Sequence, residues 1–216
     1  MYTLETDLAH YAWKSILKQI MEYGEDVEDE RNLHTKELLN VIVTILDPIT
    51  SEPPEGYFSS TERYKKIEKQ LLETENHVDG INYGKRIREH FGFKLGSDIY
   101  SVKIDQVESV VNRLRKCETS RRATITVFDP SIDQYMEDIP SMIMVDFKIR
   151  KNRLYTTAVW RSHDIYGSWI QNFYGVKGLS KYIADYLNIK LGPITVHSIS
   201  AHIYKTKYND VENLFI

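Results

Sequence analysis

Ala9, Trp13, Leu17 and Ile20 recur at helical spacing ahead of Gly24, a pattern that predicts an amphipathic helix over residues 6–22. The charged run Glu25 to Arg31 reads as a connection. Leu38 to Leu46 is short and rich in β-branched residues, which predicts a strand ending at the Asp47-Pro48 turn. Residues 47–58 hold prolines and a glycine and read as loop. Ser59 with Glu62 fits a capping box for a helix reaching about residue 74, and Asn82-Tyr83-Gly84 breaks the chain before a short helix at 85–90. Val107, Val110, Val111 and Leu114 form a further helical stripe. Beyond it, residues 122–128, 142–149 and 153–161 are β-type runs. The apolar content of the second run predicts a strand covered on both faces. A long helix is expected from Asn172 to Leu187, a long strand from Ile194 to Tyr204, and a short helix over 207–215.

No repeat, low-complexity tract or linker interrupts this order, so the expectation is one α+β domain over residues 1–216. That length suffices for a proper core. Net charge is −3, which provides no global attraction to nucleic acid or acidic membranes, so any anion site must be local. No apolar run approaches the roughly 20 residues of a membrane span, and the first residues lack the pattern of a signal peptide. The single cysteine, Cys117, excludes an intrachain disulfide and suits a reducing cytoplasm. The seven histidines are scattered without metal-ligand spacing, so no metal is expected.

Four groups of residues could carry chemistry. Arg121-Arg122 precede a strand, and Arg161-Ser162 lie at the end of another; guanidinium forks suit phosphate, although a solvated basic turn is the alternative. Asn172 could cap a helix or offer a donor and an acceptor to a uracil edge. His202 and Tyr204 sit two apart on a strand and so share a face, as core residues or as ligands of a sugar. Pro140-Ser141 stands between these groups.

Taken in order from Tyr83 to Tyr204, these segments resemble the thymidylate synthase superfamily, in particular its short archaeal-type branch. The resemblance implies a central mixed sheet flanked by helices and a homodimer formed sheet to sheet, with shared active sites. It implies phosphate binding by Arg161 and Ser162, and by Arg121 and Arg122 given by the other subunit. Arg31 is a further phosphate candidate, on a looser match. Asn172 would read the base of dUMP, Asp164 would support it, and His202 with Tyr204 would meet the sugar. Ser200 departs from the aspartate of longer relatives. Glu68 best matches the family's general acid/base glutamate, with Glu73 as runner-up. The one-carbon donor implied is 5,10-methylenetetrahydrofolate or a methanopterin-type analogue. Longer family members continue past the sugar segment into a tail that closes over the folate, and this sequence reaches only Ile216 there.

Ser141 stands where the family has its attacking cysteine. Attack at C6 of the pyrimidine makes C5 enolate-like and able to meet a one-carbon electrophile. Forming a thiolate at pH 7 costs only ~2 kcal/mol, whereas ionising an alcohol of water-like acidity costs on the order of 12 kcal/mol. Serine should therefore bind nucleotide and turn over poorly. Ser141 reads as an engineered one-atom replacement or as the mark of a natural paralogue, with Cys117 as a third source of a nucleophile. The reading is thymidylate synthase-type C5 methylation of dUMP, impaired by Ser141. The alternatives are hydroxymethylation of dUMP, dCMP or CMP, and a non-catalytic nucleotide-binding paralogue. An RNA-binding module is disfavoured by the net acidity and the lack of aromatic-basic repeats.

Overall fold

The computed structural model describes residues 1–54, 57, 60–75, 81–89 and 91–215. Its main sheet has the order β1 (Tyr2–Thr6), β3 (His34–Ile45), β9 (Lys190–Tyr204), β8 (Arg153–Asp164), β7 (Met142–Arg150) and β6 (Thr124–Thr126), with β2 (Glu25–Glu28) also paired to β3. The sheet is mixed. β1–β3 and β9–β8 are parallel pairs, and β3–β9, β8–β7, β7–β6 and β2–β3 are antiparallel. A separate hairpin joins β4 (Phe91–Leu95) to β5 (Asp98–Val102).

Sequence pattern explains which face is covered. Helix α1 (Ala9–Tyr23) buries Ala9, Ala12, Trp13, Ile16, Leu17 and Ile20, the stripe expected from their spacing, against the alternating Val41, Val43 and Ile45 of β3. Each fully buried aliphatic side chain contributes roughly 1.5–3 kcal/mol. Helix α5 (Trp169–Tyr186) is the crossover that parallel β8 and β9 require, and it buries Ile170, Phe173, Leu179 and Ile183. It ends where Asn188 takes a left-handed conformation (φ 54°) and Ile189 N–H reaches back to the Ala184 carbonyl. Helix α2 (Thr61–Lys69) lies across α5. The contact is so close at Gly178 that an added Cβ would sit 1.8 Å from the Glu68 carbonyl oxygen. Helices α3 (Tyr83–Arg88) and α4 (Gln106–Lys116) pack on each other, α4 reaches β6 and α5, and the short α6 (Tyr208–Glu212) follows β9.

Several expectations shift. The first helix begins at Ala9 because residues 2–6 form β1, and the Glu25 to Arg31 connection contains β2. The α2 cap is Ser60, whose Oγ accepts the Arg63 N–H at 3.1 Å; the predicted cap, Ser59, lies outside the described residues. Helix α5 opens three residues before Asn172, so Asn172 is not its N-cap. Between β7 and β8, Lys151 and Asn152 both have positive φ (50° and 57°), the signature of a two-residue hairpin turn.

β7 is not covered on both faces within one chain. The outward residues Met144, Asp146 and Lys148 are only half-buried. On the same open side lie Tyr155, Thr157 and Val159 of β8, Thr195, His197 and Ile199 of β9, and Ile42 and Thr44 of β3. Two hydrogen bonds link neighbours across this face, Thr44 with Thr195 at 3.0 Å and His197 with Asn40 at 3.2 Å. Among the described residues, no helix is long and apolar enough to cross a membrane.

Candidate active site

Because β8 and β9 run in the same direction, their C-terminal ends open together, the position at which parallel strands leave a crevice for ligands. The register sets Ser162 opposite Ser200 and Asp164 opposite His202. The antiparallel neighbours begin at the same edge. β7 starts there, so Ser141 lies beside Arg161, whose backbone N–H donates to the Ser141 carbonyl at 2.9 Å. β3 starts there too, and the turn before it delivers Glu30 and Arg31. Together these form a cavity of about 390 Å³, within the roughly 300–1,000 Å³ of small-molecule sites. Its walls are Glu30, Arg31, Tyr83, Glu137, Asp138, Ile139, Ser141, Arg161, Ser162, His163, Asp164, Ser168, Asn172, His202 and Tyr204.

Arg161 fastens the loop that carries Ser141. Its Nε donates to the Pro140 carbonyl at 3.0 Å and an Nη to the Ile139 carbonyl at 2.8 Å. The remaining N–H groups of the fork are left to other partners. From the other side, the Tyr83 hydroxyl accepts the backbone N–H groups of Ser141 (3.2 Å) and Met142 (3.4 Å). Ser141 is therefore held by the Arg161 backbone on one side and the Tyr83 phenol on the other, in a loop fastened by the Arg161 guanidinium.

Asp164 builds the turn into α5. One carboxylate oxygen accepts the Gly167 N–H at 3.0 Å, and its carbonyl accepts the Ser168 hydroxyl at 2.9 Å. The buried Trp13 indole fixes the same turn by donating to the Ile165 carbonyl at 2.7 Å. Asn172, one turn into the helix, places Nδ2 3.1 Å from His163 Nε2. On its far side His163 Nδ1 lies 2.8 Å from Ser198 Oγ, and the ring stacks on Trp160 at 4.6 Å. Burial pushes the His163 pKa down to about 3, so the imidazole is neutral at physiological pH.

His202 and Tyr204 share a face, with their rings edge to face at 5.1 Å. Burial also lowers the His202 pKa, against an opposing pull from Asp164. Ser200 donates its hydroxyl to Glu37 on the neighbouring strand. Arg31, on the rim, is engaged by Asp29 through Nε (3.1 Å) and Nη2 (2.8 Å).

Of the residues selected from sequence, the cavity gathers Arg31, Ser141, Arg161, Ser162, Asp164, Asn172, His202 and Tyr204. Arg121 and Arg122 lie exposed between α4 and β6 and do not line it in the same chain. Glu68 accepts the Tyr64 hydroxyl at 2.9 Å and faces a different hollow of about 820 Å³, with Glu52 and Lys177. Glu73 faces a third, with Glu89 and Arg88. Cys117 is exposed at the end of α4. Sequence reading passed over Tyr83 as a site residue, taking it only as part of the break before a short helix, and passed over His163, Glu137 and Asp138. For His163 the only signal was its place inside the Arg161 to Asp164 segment. Among the described residues, no three His, Cys, Asp or Glu side chains converge as a metal site.

Comparison with known proteins agrees with this geometry. The thymidylate synthase family profile matches residues 11–215. A protein of Methanothermobacter marburgensis is 38% identical over 99% of this chain and 97% of its own length. One of Methanococcoides burtonii is 37% identical over 94% and 89%, and one of Methanocaldococcus jannaschii is 30% identical over 89% and 86%. All three carry thymidylate synthase in their names as a provisional designation. With the crevice, the strand ends and the family match in agreement, this chain belongs to the thymidylate synthase family, as an archaeal-type member with serine in place of the nucleophilic cysteine.

Proposed function

We propose that the cavity binds dUMP and that the chain is built for C5 methylation of that nucleotide from a reduced-pterin donor, of the folate or methanopterin type, with turnover suppressed by Ser141. The observation that carries this reading is the convergence of Arg161, Ser162, Asn172, His202 and Tyr204 on the cavity that also holds Ser141. In it, the guanidinium and hydroxyl of Arg161 and Ser162 take the phosphate. The amide of Asn172 takes the O4 and N3–H edge of uracil, and His202 with Tyr204 takes the deoxyribose hydroxyl.

Charge supports a site shared between two chains. The cavity lining has four carboxylates, Glu30, Glu137, Asp138 and Asp164, against two guanidiniums, Arg31 and Arg161. Four against two leaves the wall net negative, which repels a phosphate dianion unless further cations arrive. Arg121 and Arg122 of the partner subunit would supply them, with the open sheet face as the dimer contact.

In the reaction, a nucleophile at position 141 forms a bond to C6 and pushes electron density to C5. C5 would then take the one-carbon unit and lose its proton to a base, and the reduced pterin, when bound, would supply both the carbon and the hydride that brings it to a methyl group, the nucleophile departing as the C5–C6 double bond returns. Tyr83 and Arg161 orient residue 141 through its backbone. Serine lacks the acidity for this role, which favours a second reading, a nucleotide-binding protein without turnover. The two separate in one experiment: Ser141→Cys with dUMP and each pterin donor, followed by release of tritium from C5. Recovery by several orders of magnitude supports the suppressed enzyme. Tight dUMP binding without tritium release supports the binder.

A further inference from the structure

Asn172 does not meet the cavity as a free amide. Its Nδ2 is held 3.1 Å from His163 Nε2, and the other ring nitrogen lies 2.8 Å from Ser198 Oγ. His163 is 1% exposed and Ser198 fully buried, so water does not compete for these contacts. With Nδ2 facing the ring it donates, so Nε2 accepts, the ring proton sits on Nδ1, and Ser198 Oγ accepts it. A neutral imidazole carries one proton, so the network has two consistent senses. The other places the proton on Nε2, takes one from the Ser198 hydroxyl at Nδ1, and turns the Asn172 amide by 180° to present Oδ1 to the ring.

The two senses have opposite consequences for a pyrimidine. Uracil offers an acceptor at position 4 and a donor at N3, and cytosine offers a donor at position 4 and an acceptor at N3. With the nucleotide held by its phosphate and sugar, turning the amide exchanges the donor and acceptor presented to those positions. Resting on the reading of this cavity as a pyrimidine nucleotide site, we infer that Ser198 and His163 form a buried lock on the Asn172 amide, and that its proton sense sets the preference for uracil over cytosine. His163 and Ser198 are positioning residues in this scheme, since they act through Asn172. Trp160, stacked on the ring at 4.6 Å and 15°, holds the imidazole plane in place. The low proton affinity of His163 removes the doubly protonated ring, in which Nε2 could no longer accept from the amide.

The test compares dUMP, dCMP and 2-deoxyribose 5-phosphate by calorimetry on the full chain and on Ser198→Ala. In the variant an Nδ1–H would be left buried without an acceptor, so the ring proton moves to Nε2 and the amide turns. The ratio of dUMP to dCMP affinity should then shift toward cytosine by at least about tenfold, with sugar phosphate affinity unchanged. Long-range proton–nitrogen NMR of His163 should show the Nδ1–H tautomer in the unaltered chain and the Nε2–H tautomer in the variant. A merely structural role would move neither the ratio nor the tautomer. An unaltered chain that prefers dUMP, with a ratio unmoved in Ser198→Ala, overturns the lock, as does an Nε2–H tautomer in the unaltered chain. Failure of the unaltered chain to bind any of the three ligands overturns the nucleotide reading itself, and the lock with it.

Discussion

Lowering the pH from 7.5 to 5.0 should weaken the fold through His163. The ring is sealed between Trp160, Ser198 and Asn172, and burial takes its pKa from the ordinary 6.5 down to about 3. In the unfolded chain it titrates near 6.5. Between these values the unfolded state binds the extra proton. The stability tied to this group is therefore complete above about pH 6.5 and is lost progressively as pH falls toward 3. For those two pKa values, linkage gives a loss of roughly 2 kcal/mol at pH 5.0 and almost none at pH 7.5. His202, also depressed by burial, adds to the same trend. The assay is urea unfolding followed by tryptophan fluorescence at both pH values, for the unaltered chain and for His163→Gln. Taking the difference of differences removes His202 and the surface carboxylates. The unaltered chain should lose about 2 kcal/mol more than the variant. A difference below about 0.5 kcal/mol would mean that His163 accepts a proton in the fold, and the neutral-ring description would be wrong.

Other consequences follow from the same geometry. Arg86 holds Asp133 with a two-pronged ion pair at 2.7 and 2.9 Å, and the Asp133 carboxylate is fully buried while also accepting the Asp129 N–H. Arg86→Met should cost about 3–5 kcal/mol in urea unfolding by stranding that charge, and the Arg86→Met/Asp133→Leu double variant should recover most of it. On the open sheet face, Ile199 is 36% exposed in one chain, so Ile199→Lys should leave the fold of the single chain intact by circular dichroism. If that face joins two copies, light scattering should fall from twice 25.4 kDa to 25.4 kDa, and dUMP affinity should fall with it as the partner's arginines leave.

The strand-rich half of the molecule was legible because its segments are anchored by period. β-type runs over 142–149 and 153–161 marked β7 and β8, and the expected helix from Asn172 to Leu187 marked most of α5. The resemblance picked out Arg161-Ser162 and His202/Tyr204, and the parallel pairing of β8 with β9 brings them to one edge of the sheet. β2 was hidden because Glu-Asp-Val-Glu is a charged edge strand with almost no burial to produce a pattern. β1 was hidden by its five-residue length at an edge, directly before a stronger helix signal. The start of α5 was misplaced because Asn172 looks like a cap, whereas Trp169 and Ile170 already face the core. The lock of His163 and Ser198 had no local signal. The two residues are 35 apart in sequence and meet only because β8 pairs with β9. The same holds for Tyr83, whose hydroxyl reaches Ser141 across 58 residues. Glu68 illustrates the converse: resemblance to the family's glutamate segment selected it, but only packing decides which hollow a helix face borders.

The structure of this chain with dUMP bound is the most direct measurement. The expected result places the phosphate on Arg161 and Ser162 together with Arg121 of the partner subunit and Arg122 of the partner subunit. The uracil edge should lie on Asn172, the sugar on His202 and Tyr204, and Ser141 Oγ within about 3–3.5 Å of C6. A nucleotide bound elsewhere, or a cavity left empty at saturating dUMP, would contradict the proposal.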